Sequence, residues 1–354
     1  MMNTDIAASF PHIPGYLDTA SYGLPAYATS AALENAARDW SQAKTDPYAL
    51  DASVTRMRVA YASIVGAQPS DIALGGSVSQ LVALAAASLP DGARVLAVER
   101  DFSSVIYPFL SDPRLDVTLV PLERLVDSIR PGIDLVAVSA AQSSDGRVVD
   151  LTALAMAAHS AGVKTLIDVS QSAGWLPIHA RDFDMVVVGA YKWLTCPRGI
   201  ALAAVHPRAT WIRPVCASWY GSDDPWASLY GPELKLSTTG RRLDTSPPWQ
   251  LVEAGAIALE TLAAQDVRAA YTYCTGLAND LRSELSMPAS DSAILSVTGI
   301  DAGALAAAGI RASARDGRAR MSFYIYNDSA DVSRAASALA GGSVREAVRV
   351  PALG

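Results

Sequence analysis

Between about residues 50 and 205 the chain alternates between two hydrophobic patterns. ASVTRMRVAYASIVGA, SVIYPFLS, LERLVDSIR and VDLTALAMAAHSAG space their apolar residues as helices do. Between them lie short runs of consecutive apolar residues: ARVLAVER, DVTLVPL, IDLVAVSAA, KTLIDVSQ, DMVVVGA and GIALAAV. Strands that are apolar on both faces belong to a sheet covered on both sides, the setting of parallel sheets. The alternation therefore predicts an α/β fold with a mostly parallel central sheet covered by helices. DIALGGSVSQLVALAAASL carries both patterns in one segment. It predicts a short strand, a break at Gly75-Gly76 and a helix from about Ser77.

The rhythm stops at CASWYGSDDPWASLYGPELKLSTTGRRLDTSPPW, which is rich in turn formers and aromatic rings. A long helical region is expected over roughly 249–286. Beyond about 290, short strands (AILSVTG, RARMSFYIY) mix with alanine-rich helices. The expected organisation is an N-terminal segment over 1–15, a large α/β domain over 16–248, and a linking helix with a small C-terminal α+β domain over 249–354. No period repeats, and the alanine richness is compositional.

Composition narrows the function classes. Of 354 residues, 51% are hydrophobic and 18% charged, enough to bury a sizeable core. A net charge of -7 and a pI near 5.1, with no basic run, argue against a nucleic-acid or anionic-lipid surface. The start MMNTDIAASFPHIPGY lacks the charged and apolar regions of a signal peptide, and no apolar run reaches membrane length. Three widely spaced cysteines suggest neither disulfides nor zinc, and four scattered histidines form no metal-ligand pair. The expectation is a cytoplasmic protein without a metal.

Ligands of open α/β sheets sit beyond the carboxyl ends of the strands. That rule selects Asp168 with Gln171 after TLID, Tyr191 with Lys192 after VVVGA, Asp101 with Phe102 after VLAVER, and Gln142 after VAVSAA. The helix start at GGSVS presents unpaired N–H groups and the positive end of a dipole to an anion, though such a start also serves as plain capping. Lys192 stands out, because an ammonium in so apolar a stretch is costly unless something compensates. An acid and a lysine at adjacent strand ends near an anion cradle suit pyridoxal 5′-phosphate: the lysine takes the aldehyde, the acid pairs with the ring nitrogen, and the helix start takes the phosphate. Covalent attachment would remove most of the cost of burying Lys192. The burial itself would lower its pKa and make it a nucleophile.

In these pieces the chain resembles the class V aminotransferase group of fold-type I pyridoxal-phosphate enzymes, which includes cysteine desulfurases and kynureninases. The resemblance runs through YLDTASYGLP, LGGSVSQLV, ERDFSSVIYP, SAAQSSDGRVVDL, LIDVSQSAGWLPI, YKWLTCPRG, RRLDTSPPW and RARMSFYIYND, in family order, over about residues 16–330. It implies Lys192 as the Schiff-base lysine and later the base for the Cα proton, and Asp168 as partner of the ring nitrogen. Gln171 would bond the ring's 3′ oxygen and Phe102 would stack on the ring. Ser77, Val78 and Tyr191 would hold the phosphate, and Thr245 and Ser246 would reach the phosphate in the neighbouring subunit of a homodimer. Arg320 would clamp the substrate's α-carboxylate, and Gln142 is a further substrate-binding candidate. Each has an ordinary structural reading too: Asp168 as a helix cap, Phe102 as core, Tyr191 as a packed ring, Arg320 as part of a solvated basic strand. Trp193 and Arg198 read as structural.

Departures from the family guide the choice of reaction. GIRASARDGR holds no cysteine to receive sulfur, which leaves only Cys216 as a substitute, and Tyr191 replaces the histidine that precedes the lysine in desulfurases. Tyr191-Lys192, Phe102, SWYG and the SPP turn are closer to kynureninases. The rings of Trp219, Tyr220, Trp226 and Tyr230 could form a substrate wall or a packed lid. The leading expectation is Cα deprotonation of a free α-amino acid followed by β-cleavage or β-elimination, as in a C–S lyase or a kynureninase-like hydrolase. The alternatives are transamination, racemisation or epimerisation, and a non-catalytic cofactor-binding sensor or scaffold.

Overall fold

The computed structural model describes residues 4–300 and 302–341; the expected N-terminal and C-terminal segments reach beyond these into residues outside the described range. The chain begins with α1 (Thr4–Ala7), α2 (Tyr27–Ser41), α3 (Pro47–Val65), β1 (Ile72–Gly75) and α4 (Val78–Ser88). β2 (Arg94–Val98), α5 (Ser103–Leu110), β3 (Asp116–Val120), α6 (Leu125–Ser128), β4 (Leu135–Ser139) and α7 (Leu151–Ala161) follow. β5 (Lys164–Asp168), β6 (Met185–Gly189) and β7 (Ala201–Val205) complete a seven-stranded sheet in the order β1-β7-β6-β5-β4-β2-β3. β7 runs antiparallel to both neighbours, and the other pairs are parallel.

The consecutive apolar residues of the strands divide between two cores. Along β6, Met185 and Val187 pack into the layer that holds α4 and α5, while Val186 and Val188 pack toward α3, α7 and α8. Every residue of β6 is buried, which accounts for its unbroken apolar run.

The segment from 249 forms two helices, α8 (Trp249–Ala263) and α9 (Val267–Glu284). The break falls at Asp266, whose side chain accepts from the Arg268 N–H at 2.8 Å and starts α9 afresh. Val252, Ala256, Leu259 and Leu262 of α8 join the core that contains α3, whereas Leu277, Ala278 and Leu281 of α9 join a separate core. That separate core also holds β8 (Ile294–Thr298), β10 (Arg318–Ser322) and α11 (Ser329–Gly341). β8, β10 and the three-residue β9 (Ser313–Arg315) make an antiparallel sheet in the order β8-β10-β9, with α10 (Ala302–Ala307) between β8 and β9. Leu17 lies in the same core, and Tyr16 and Asp18 form bridges to Arg311 and Ser322, so the chain's early part is threaded into this second sheet. No helix among the described residues is long and apolar enough to cross a membrane.

Candidate active site

The carboxyl ends of β4, β5 and β6 and the start of α4 enclose a cavity of about 220 Å³. Its wall includes Ser77, Val78, Phe102, Asp168, Gln171, Tyr191 and Lys192. Seven residues picked out from strand ends and one helix start therefore meet in one place.

Lys192 follows directly from the β6 edge and is 6% exposed. Its Nζ lies 5.1 Å from the centre of the Phe102 ring and 5.7 Å from that of Tyr191, with no hydrogen bond or ion pair to a described residue. Burial pulls its pKa down to about 8. Asp168 opposes that shift, and the guanidinium charges of Arg320, Arg315 and Arg198 add to it. The loop that carries Lys192 is pinned from outside by Gly23, whose N–H donates to the Tyr191 carbonyl at 3.0 Å. A Cβ on Gly23 would stand 1.9 Å from the Lys192 carbonyl oxygen, so no other residue permits this approach.

Asp168 ends β5 and is buried. Its Oδ1 accepts from the Ser170 N–H at 2.8 Å and the Ser170 hydroxyl at 2.5 Å, and that hydroxyl accepts from the Gly189 N–H at 2.8 Å. One bonded chain thus ties the end of β5 to the end of β6. Burial raises the Asp168 pKa to about 6 against the lowering effect of Ser170 and Lys192. The carboxylate is thereby poised to gain from a cationic partner.

At the other end of the cavity, Ser77 caps α4 by accepting from the Gln80 N–H. The first-turn N–H groups of Val78 and Ser79 have no intrahelical acceptor and face the region where an anion is stabilised. Phe102 caps α5 at the rim and is 42% exposed, which sets aside its reading as core. These side chains fit pyridoxal phosphate: a free buried amine, a carboxyl raised by burial, an accessible ring face and an open helix start line one cavity.

Other expected residues are placed differently. Gln171 lines the cavity, but its Nε2 donates to the Ala20 carbonyl at 2.9 Å and to Ser143 Oγ at 3.0 Å, and its Oε1 accepts from Trp193 Nε1 at 2.9 Å. Gln142 does not line the cavity; it is buried, with Nε2 donating to the Ser139 carbonyl. Thr245 and Ser246 also lie off their own chain's cavity. Their turn is held by Asp244, which accepts from the Leu74 N–H at 2.7 Å and pairs with Arg58 in the core. Trp219, Tyr220 and Trp226 pack with Trp249 and Tyr48 as a lid-like cluster apart from the cavity, and Tyr230 is exposed. Arg320 on β10 is 1% exposed and does not itself line the cavity; it reaches Ser143, which does, and pairs with Asp18 at 3.7 Å. It donates to the Ser143 carbonyl at 2.6 Å, the Ser143 hydroxyl at 3.1 Å and the Ser21 hydroxyl at 2.7 Å, and its Nε has no partner.

The residues missed from sequence are small polar ones beside those chosen. Ser139 and Ser143 line the cavity on either side of the chosen Gln142, which does not. β4 ends at Ser139, and Ser143 belongs to the turn that follows it. Ser170 lies in the turn after β5 and donates back to Asp168, and Arg198 also lines the cavity.

This sheet order, its second small sheet and the lysine–aspartate pair at adjacent strand ends define a fold-type I pyridoxal-phosphate scaffold. The sequence profile of the family described as aminotransferase class-V matches residues 81–287, and the chain belongs to that family. An uncharacterised aminotransferase of Bacillus subtilis, YcbU, is 27% identical over 214 residues, 57% of this chain and 56% of the relative. A kynureninase of Deinococcus radiodurans is 27% identical over 247 residues, 62% of this chain and 60% of the relative. The matches thus span little more than half the length of either relative. Among solved structures, the cysteine desulfurase CsdA of Escherichia coli superposes with a TM-score of 0.80 at 20% identity, over 95% of this chain and 97% of that one. The cystine C–S lyase C-DES, in complex with its product cysteine persulfide, gives 0.81 at 16% identity, over 93% and 97%. These two structures share the fold.

Proposed function

We propose that the chain is a pyridoxal-phosphate enzyme that takes the Cα proton from a free α-amino acid and cleaves the substrate at its β-position. The observation that carries this reading is Lys192: a buried, unpartnered amine aimed into a cavity that also holds Asp168. Bound in the cavity, pyridoxal phosphate supplies an electron sink for negative charge developing at the substrate's Cα. Lys192 provides the nucleophilic amine for the cofactor's aldehyde, and its Nζ later receives the Cα proton. Asp168, fixed by Ser170, holds a proton on the ring nitrogen through charge. Phe102 would cover one ring face, Ser77, Val78 and Tyr191 would hold the phosphate, and Gln171 would bond the ring oxygen. Arg320, bonded to Ser143, would clamp the α-carboxylate.

The kynureninase relatives and the C–S lyase fold neighbour support cleavage at the β-position. Cys196 and Cys274 are buried and Cys216 lies off the cavity, so no thiol stands ready to accept sulfur as a desulfurase requires. Transamination is the second reading, favoured by the likeness to an aminotransferase. A homodimer is part of the proposal: Thr245 and Ser246 lie off their own cavity, and Tyr27, Trp40 and Tyr48 are exposed around α2 and α3. The test is a panel of amino acids given to the cofactor-loaded protein, with product analysis. Alanine, or pyruvate with ammonia, supports β-cleavage. Recovery of the cofactor in its amine form with a free keto acid replaces it with transamination. No reaction with any amino acid contradicts both.

A further inference from the structure

Arg198 has no role in the reading above, yet this exposed residue lines the same cavity as Lys192. Its guanidinium lies over the Tyr191 ring, with Cζ 4.9 Å from the ring centre, and is paired with no acid among the described residues. Its loop lies against the start of α4. The Gly199 carbonyl oxygen is 4.0 Å from where a Cβ on Gly76 would be. Gly189 marks the same corner, because a Cβ there would lie 3.4 Å from both the Tyr191 ring and the Val78 side chain. Arg198, Tyr191 and the α4 start therefore form one end of the cavity.

All the other donors at that end are neutral: first-turn N–H groups and the hydroxyls of Ser77, Ser79 and Tyr191. A phosphate monoester carries about -1.5 to -2 charges at neutral pH. Neutral donors satisfy its oxygens but compensate that charge only in part, whereas a guanidinium offers a full charge and a bidentate fork. Lys192 would lose its charge on joining an aldehyde, and Arg320 and Arg315, both bonded to Ser21, do not line the cavity. Apart from Lys192, Arg198 is the cation in the cavity lining.

We propose that Arg198 is an anchoring residue for the cofactor's phosphate, an inference that rests on the pyridoxal-phosphate reading of the site. The experiment titrates apoprotein with pyridoxal 5′-phosphate and, separately, with pyridoxal, which lacks the phosphate, following absorbance. Arg198→Gln should raise the dissociation constant for pyridoxal 5′-phosphate about 10- to 100-fold, the range of a charged hydrogen-bond pair, and leave that for pyridoxal within about twofold. Arg198→Lys should recover part of the loss, since it restores charge without the fork. An unchanged constant for pyridoxal 5′-phosphate in Arg198→Gln overturns the assignment. Equal weakening for both compounds also overturns it, because that pattern marks a structural role in the Lys192 loop. Failure of the wild-type chain to take up either compound defeats the underlying cofactor reading instead, and is told apart by needing no variant.

Discussion

At the carboxyl edge of the large sheet, ionisable groups are buried without being closed on one another; in the aromatic segment that follows, they are closed. Lys192 has only ring faces around its amine, and Asp168 accepts from Ser170 alone. In the later segment Trp226 stacks on Tyr48 with ring centres 3.8 Å apart, Tyr220 donates to Asp51, and Arg241 covers the Tyr220 ring at 4.7 Å. Both regions are rich in rings and charges, so composition does not separate them. The difference is whether charges meet: Arg241 Nη2 lies 4.0 Å from Asp51, whereas Lys192 pairs with no acid among the described residues. Unspent groups in a cavity mark chemistry, because a buried charge with nothing to meet it costs stability that only a ligand recovers.

The contrast breaks most visibly at Asp168. Asp168→Asn keeps the shape and the Ser170 bonds but removes the charge, and turnover should fall about 10²–10³-fold with the cofactor still bound. Normal turnover would remove Asp168 from its role. Next, Arg320→Lys should raise KM for α-amino acids about 10- to 100-fold while leaving cofactor absorbance intact. A variant that loses cofactor but keeps KM would place Arg320 elsewhere.

A smaller effect follows from pH. The neutral amine is the reactive form, and burial holds the Lys192 pKa at about 8, below the ordinary lysine value. Only about a tenth of the amine is neutral at pH 7, and nearly all of it above pH 9. Cofactor capture by the apoprotein should therefore speed up about tenfold from pH 7 to pH 9 and then level off; a rate still climbing to pH 11 would indicate an unshifted lysine. The smallest change is expected on the closed side. Trp226→Ala should cost about 0.5–1.5 kcal/mol beyond its lost burial, seen as a lower Tm, with the cofactor spectrum unchanged. A lost spectrum would join the aromatic segment to the active site.

Much of this was legible in the sequence where apolar patterning was strong. The buried strands were visible because each is apolar on both faces, and the strand-end rule then led to Asp168, Lys192 and the α4 start. Elements held by little apolar burial were missed. α2 buries only Thr29, and its larger apolar residues, Tyr27, Leu33 and Trp40, are exposed and too widely spaced to form an apolar stripe. LERLVDSIR reads as one helix but forms a 3₁₀ turn and the four-residue α6, ended before Pro131-Gly132. The antiparallel direction of β7 was also hidden, because a short apolar run reads alike in either direction. At the site, Gln142 was chosen over Ser143 because the strand end was located but not the turn after it, whose Ser143 lines the cavity.

The most direct test is reduction of the cofactor-loaded protein with borohydride, followed by peptide mapping of the labelled lysine. The chain has four candidates, Lys44, Lys164, Lys192 and Lys235, and of these only Lys192 is buried at the cavity. The label is expected on Lys192 alone. A label on any of the other three, or none after incubation with pyridoxal 5′-phosphate, would contradict the account.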